Sequence, residues 1–279
     1  MTERKAPRHV FRQHVSATME KRHGYGWRPD RIDDRYRQRQ LEERWTADLL
    51  AAVPVKPVDM RPRCPPPYDQ GPLHSSPANV VAFLYQYDCA RRGALDFMPS
   101  RLFIYWNQRR LSGDDQEDED TGATIVETID ALNDCGVPDE KEWPYSAREF
   151  DQEPPHKVFN KAHHDRRIVP HALLSLEDIR AALQADFPVA FGFHVFEGFE
   201  GKITSASGVV AVPSNGDKIV AHQAAALVGD NPDKKHMIFR NSFGPDWGHE
   251  GCGYIPYEYL FHPMGLTGDF WIIETAARD

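Results

Sequence analysis

Residues 69–79, DQGPLHSSPAN, set a serine at the mouth of an apolar periodic stretch. Gly71 and Pro72 punctuate a loop, and Pro77 suits the first helical turn, where its missing N–H costs nothing. From Val80 the apolar residues Val80, Val81, Leu84 and Tyr87 recur at helical spacing, so a buried helix is expected to start beside Ser76. A side chain at such a mouth lies in the positive field of the helix N-terminus. An anionic nucleophile or a developing oxyanion is stabilised there. A cysteine could be pre-ionised at that place, because its pKa of ~8.5 falls further beside a helix N-terminus and a cationic imidazole. A serine hydroxyl cannot, and Ser76 needs a well-aligned general base.

The histidines offer few bases. His74, two residues before Ser76, reads as a loop histidine and a poor substitute base. His163 and His164 read as surface, with no third ligand nearby to suggest a metal. The acidic run DDQEDED (114–120) reads as a solvated loop whose spacing is not that of an EF-hand. No metal and no cofactor is expected. The four cysteines, Cys64, Cys89, Cys135 and Cys252, form no CxxC pair. Zinc is therefore disfavoured and reduced thiols are the default, with one or two disulfides open in an oxidising compartment.

The 279 residues, 41% of them hydrophobic, can build one large domain or two small ones. No apolar run approaches the ~20 residues of a membrane span, and the charged N-terminus lacks the apolar stretch of a secretory signal. No membrane association is expected, and a cytoplasmic setting is the default. The net charge of −9 is divided: residues 1–45 carry twelve Lys/Arg against seven Asp/Glu, so the rest of the chain carries −14. A basic arm on an acidic body can bind nucleic acid, lie solvated, or dock on its own body. The aromatics and proline of GYGWRPD (24–30) favour docking in cis, and nucleic acid is not the expected partner. A helix is expected from Tyr36 to Ala52, with Leu41, Trp45 and Leu49 on one face.

Two further helices are expected, one capped by Ser100 and one carrying Ile125, Ile129 and Leu132 inward. A third starts at the Ser175–Asp178 capping pattern. From PVAFGFHVFEGF onward the period changes, and VVAVP, AAALVGD, HMIFRNSFG, GCGYIPYEYL and DFWIIET read as short strands. Helices first and strands afterwards indicate an α+β protein of two segregated lobes.

The segment DQGPLHSSPAN resembles the nucleophile segment of papain-like cysteine peptidases, in particular the microbial pattern DQGxLGSCTAN. RNSFGPDWGHEGCGYIPYEYL resembles that family's NSWGxxWGxxGYxxIPYEYL, and HGYGWRPDRIDDR resembles the entry sequence ahead of the catalytic domain in microbial relatives. The resemblance spans roughly residues 20–275. It implies an α+β papain-like fold with a helical left lobe and an antiparallel, β-barrel-like right lobe. It also divides the chain into an N-terminal extension (1–56), for which a propeptide-like element is one reading, and a peptidase domain (57–279), with the left lobe at about 57–165 and the right at about 166–279. Ser76 falls at the nucleophile position, Gln70 at the oxyanion-hole glutamine and Asn241 at the residue that orients the catalytic imidazole. Gly122 falls on a cleft-lining segment, Phe243 replaces one shielding tryptophan and Trp247 keeps the second.

The base is displaced. Against the family's GHAVLIVGYD this chain reads AHQAAALVGD, so Gln223 and not His222 occupies the aligned base position. A shift of one residue turns a strand side chain to the opposite face, unless a bulge restores His222. Three readings follow. One is a non-catalytic papain-fold protein holding a polypeptide in its cleft. Another is an active peptidase, with Ser76 an engineered replacement of cysteine or a serine nucleophile. The third is a structural scaffold, which a cleft filled by the arm or by a side chain would favour.

Overall fold

The computed structural model describes residues 23–31, 34–43, 55–94, 97–112, 119–262 and 267–277. In chain order its elements are α1 (Asp34–Glu42), β1 (Val58–Asp59), α2 (Ser76–Arg91), α3 (Arg101–Leu111), α4 (Ile125–Cys135) and the short α5 (His156–Phe159). Then come β2 (Arg166–Ala172), α6 (Leu176–Gln184), β3 (Val189–Phe196), α7 (Lys202–Ser207), β4 (Ile219–Asn231), β5 (His236–Arg240), β6 (Cys252–Pro256), α8 (Tyr257–Leu260) and β7 (Thr267–Ala277). Helices α2, α3 and α4 pack together as one lobe, and the strands form the other. All strand pairs are antiparallel, in the order β2-β7-β3-β4-β5-β6, with β1 added to β4.

Helix α2 is more deeply enclosed than its apolar face implied. Every residue from Ser76 to Cys89 is buried, the polar Asn79, Gln86 and Asp88 included. A helix buried on all sides must be tied down through its polar groups. Asp88 does this at the far end, accepting from the Thr275 N–H at 2.7 Å and its hydroxyl at 2.8 Å, and from Arg92 at 2.9 Å. The mouth of α2 is thereby held at a fixed place between the lobes.

The caps follow their residue types. Ser100 and Ser175 each accept the N–H three residues on, and Thr124 forms a reciprocal capping box with Glu127. Three strand assignments differ from the sequence reading. VVAVP holds only an isolated bridge, Val209 to Tyr254, and its terminal Pro213 cannot donate to a ladder. The YEYL of GCGYIPYEYL is α8, because Pro256 ends β6 and stands at the helix N-cap. Strand β2 was not anticipated. It lies at the sheet edge beside β7 alone, where Pro170 can be tolerated. The helix expected from Tyr36 starts two residues earlier, at Asp34, and α1 ends at Glu42; Trp45 and Leu49 lie outside the described residues, as does most of the acidic run. No helix among the described residues is long and apolar enough to cross a membrane.

Candidate active-site cleft

Ser76 is the first residue of α2, and its side chain is fully buried. Its Oγ accepts the Ala224 N–H at 3.1 Å, so β4 passes directly over the helix mouth. Gln70, also fully buried, approaches from the loop before α2 and is pinned by its own N–H to the Ser242 carbonyl at 2.8 Å. Its Oε1 accepts from the Ser242 hydroxyl at 2.5 Å and from Gln223 Nε2 at 3.3 Å. Gln223 Nε2 also donates to Asn241 Oδ1 at 2.9 Å, which in turn accepts the Ser242 N–H at 2.9 Å. Gln70, Gln223, Asn241 and Ser242 thus form one buried amide-and-hydroxyl network beside Ser76. Gln223 Oε1 and Asn241 Nδ2 find no partner among the described residues.

The strand alternation decides which side chain faces that network. Gln223 pairs across the sheet with Phe193 and His222 with His194. His222 Nδ1 lies 2.7 Å from His194 Nδ1, so one ring donates and the other accepts. Burial and the neighbouring ring of His222 lower the pKa of His194. The register of β4 shifts twice, at Ala221–Ile219 along its pairing with β3 and at Leu227–Gly229 along its pairing with β5, but the pairing is unbroken from Ala221 to Gln223 and the His222 ring stays with His194. An amide at position 223 has no basicity to offer a serine hydroxyl.

The cleft is not open. Residues 23–28 run through it, and the Tyr25 carbonyl accepts both the Ser76 N–H at 3.1 Å and Gln70 Nε2 at 2.9 Å. One is the side-chain amide that the resemblance places in the oxyanion hole, and the other is the backbone N–H at the mouth of α2. The Gly26 and Trp27 N–H groups donate to the His222 carbonyl, at 3.0 and 3.1 Å. The Gly26 carbonyl accepts from Ala123 at 3.0 Å, and Arg28 returns a bond to the Ala123 carbonyl at 3.0 Å. Gly122, at φ +73°, lies so close that an added Cβ would stand 2.1 Å from the Gly26 oxygen. Its lack of a side chain serves this contact as well as its backbone turn.

Aromatic packing completes the arm. His23 stacks on Phe243 at 4.2 Å, and Tyr25 meets Phe243 edge-on at 5.7 Å while its hydroxyl donates to Glu200. Trp247 is buried behind Phe243, 6.0 Å away, and stacks on Phe199. Trp27 is buried over Gly192, and its indole N–H donates to Asp269 at 2.9 Å. On either side of the Tyr25–Gly26 link a cavity remains. One, of about 500 Å³, lies by His23, Phe199, Phe243 and Trp247; the other, of about 560 Å³, lies by Trp27, His74, Thr121 and His222.

His74 makes an ion pair with Asp120, Nδ1 to Oδ2 3.0 Å, and its backbone N–H donates to the same carboxylate at 2.9 Å. The bond to Asp120 raises the His74 pKa. Burial pushes Asp120 up, but hydrogen bonds from His74 and Tyr105 outweigh it and hold the carboxyl low. The last residue of the acidic run therefore braces the loop that leads into Ser76 instead of pointing to solvent. His163 packs on Phe97, centroids 4.7 Å apart, and no group of three metal-ligating side chains occurs among the described residues.

Asp269 was not anticipated at all. This fully enclosed carboxylate accepts from Trp27 and the Ile125 N–H on Oδ2, and from Trp271 and Tyr36 on Oδ1. Burial pushes its pKa up to about 6 against the pull of those donors. A folded-state value raised above the ordinary one gives stability that is complete below about pH 4 and is lost as pH rises through 6. The span corresponds to about 3 kcal/mol. Melting temperatures are thus expected to fall between pH 4.5 and 7 in the parent protein and to fall less in Asp269→Asn. Parallel pH profiles for the two would contradict the assignment.

Comparison with known proteins decides the kinship. A family model described as papain family cysteine protease matches residues 108–259. A peptidase C1-like protein of Acanthamoeba polyphaga mimivirus is 36% identical over 217 residues, covering 74% of this chain and 68% of that protein. The chain belongs to the papain family. Xylellain, a cysteine protease from Xylella fastidiosa, is similar at 30% identity and a TM-score of 0.79, over 94% of this chain and 100% of its own. A digestive procathepsin L from Tenebrio molitor larval midgut shares the fold at 14% identity and a TM-score of 0.63, over 83% and 74% of the two chains. The two-lobed arrangement of helical lobe and antiparallel sheet is thus the papain fold. The papain family model takes in Gln223 and Asn241 but begins after Ser76.

Proposed function

We propose that this papain-family chain grips polypeptide without cutting it. Carrying the reading is Gln223, a neutral amide wedged between Gln70 and Asn241 where a base is required, beside a serine instead of a thiol. In this reading Ser76 marks the nucleophile position, Asn241 orients a residue that no longer titrates, and Gln70 with the Ser76 N–H forms the oxyanion hole. Gly122, Phe243 and Trp247 shape the groove. The donors that would bind a peptide carbonyl are intact and hold one, that of Tyr25. Oxyanion stabilisation without a nucleophile and base leaves only ~10³–10⁴-fold over water, which is no useful turnover.

The N-terminal extension acts as an occupant in cis, in the manner of a propeptide. Arg39 extends its grip to α4, pairing with Asp130 at 2.5 Å, while Glu43, 3.0 Å away, steadies it from within the extension. Such half-buried surface pairs contribute little each, so the buried Trp27 dominates the attachment. The filled cleft is also the observation that favours a second reading, a scaffold in which the groove binds nothing else.

One experiment separates these. A reduced, unfolded polypeptide incubated with the protein is expected to stay uncut over hours. It is expected to bind measurably to Trp27→Ala, in which the arm has lost its anchor. Cleavage by the parent protein would point to an active peptidase, and a Trp27→Ala protein that binds nothing would leave the scaffold.

A further inference from the structure

We infer that the seat of Trp27 is a recognition pocket for an indole, and that the polypeptides the cleft accepts in trans carry the pattern glycine–aromatic–glycine–tryptophan. This rests on the reading of the cleft as a polypeptide binder and names its ligand class. Most of the arm's contacts are made by its backbone and carry no sequence information. The Tyr25 carbonyl in the oxyanion hole and the exchanges with His222 and Ala123 are open to any residue that fits. Selection comes from four positions where a side chain is either excluded or required.

Two positions exclude. A Cβ at Gly24 would stand 2.1 Å from the Leu73 oxygen, and one at Gly26 would stand 2.0 Å from the His74 oxygen. Both obstacles are backbone atoms and cannot swing away. Between them, Tyr25 is offered an aromatic face by Phe243 and an acceptor by Glu200.

The fourth position requires. Trp27 lies against Gly192, where a Cβ would come within 2.0 Å of the ring, so the pocket is shaped to a flat group. His194 and His222 flank it at 5.7 and 6.3 Å between centroids. At its floor the Asp269 carboxylate has about four acceptor sites, and the protein itself fills three, with the Tyr36 hydroxyl, the Trp271 indole and the Ile125 N–H. One is left, facing the Trp27 indole N–H at 2.9 Å. A guanidinium or an ammonium brings three to five N–H groups and finds one place for them. A phenylalanine or leucine brings none and leaves a buried carboxylate short of a donor. Indole alone among side chains supplies a single donor and no acceptor on a fused two-ring plane, since a phenol or a neutral imidazole brings an acceptor as well.

The test uses the full-length Trp27→Ala protein and a fluorescein-labelled peptide of sequence HGYGWRPD, read by anisotropy. The peptide is expected to bind this variant at least ~10-fold more tightly than the parent protein, whose seat is filled. Replacing the peptide's tryptophan by phenylalanine is expected to weaken binding ~10-fold or more, the range for a hydrogen bond to a charged acceptor. Replacing the glycine before it by alanine is expected to abolish binding. Should Trp27→Ala fail to fold by circular dichroism, Trp27→Leu fills part of the void without a donor, and the same peptide order is expected. Equal binding of the tryptophan, phenylalanine and alanine-substituted peptides would overturn the indole seat while leaving a general polypeptide binder. Binding of none of them would overturn both.

Discussion

Ser76→Cys alone is expected to leave the protein without appreciable peptide hydrolysis, whereas Ser76→Cys combined with Gln223→His restores it. The argument is one of protonation. A thiol at the mouth of α2 is helped by the helix field, but without a neighbouring imidazolium it remains largely protonated near neutral pH. His222 cannot serve, because the strand register turns it to His194. An imidazole at position 223 would stand where Gln223 now meets Asn241, 2.9 Å away, with its orienting partner in place. A positioned acid–base group contributes ~10²–10⁴-fold, and residues acting as a unit are strongly non-additive. The double variant should therefore exceed either single change by at least that range, and more once Trp27→Ala loosens the arm. Hydrolysis is measured under reducing conditions with an alkylating control. Activity in Ser76→Cys alone would mean that His222 or another base reaches the site after all.

Gly192→Ala is expected to be among the most damaging single-methyl additions in the chain. Its Cβ would overlap the Trp27 ring at 2.0 Å, with the strand partners of β3 fixing the backbone. The ring must leave, which forfeits the burial of a tryptophan, a loss of ~3–5 kcal/mol by analogy with large-to-small changes, and strips Asp269 of a donor. Thermal melts should show the loss, and limited proteolysis should now cut between residues 23 and 31. Against a Trp27→Ala background the same substitution should cost little, because the clash no longer exists. That coupling is what a double-mutant cycle measures. Additive losses in the cycle would mean that Gly192 matters for a reason other than Trp27.

The features that were legible in the sequence share a physical cause. The mouth of α2 is marked by Pro77 and a helical apolar period, and the meeting of Gln223 with Asn241, while His222 meets His194, is what counting residues along a period-two strand implies. Both are local properties. The occupant of the oxyanion hole is a backbone carbonyl, which every residue carries, so no side chain could announce Tyr25 in that role. A hint was nevertheless present: Gly24, Gly26 and the mid-strand Gly192 are residues that permit close approach, and glycine inside a strand often marks it. Asp269 was invisible for a different reason. As the first residue of the expected strand DFWIIET it signals nothing by itself, and its value lies in donors drawn from positions 27, 36, 125 and 271.

Those four donors belong to the arm, to α1, to the start of α4 in the helical lobe and to β7 in the sheet lobe. A single carboxylate therefore closes the arm and the lobe interface at the same point. The arm cannot leave the cleft without breaking, at Trp27, a contact to the carboxylate that also holds the lobes together. Amide protons of residues 24–28 should exchange with solvent on the timescale of a large cooperative opening and not with that of a loose terminus.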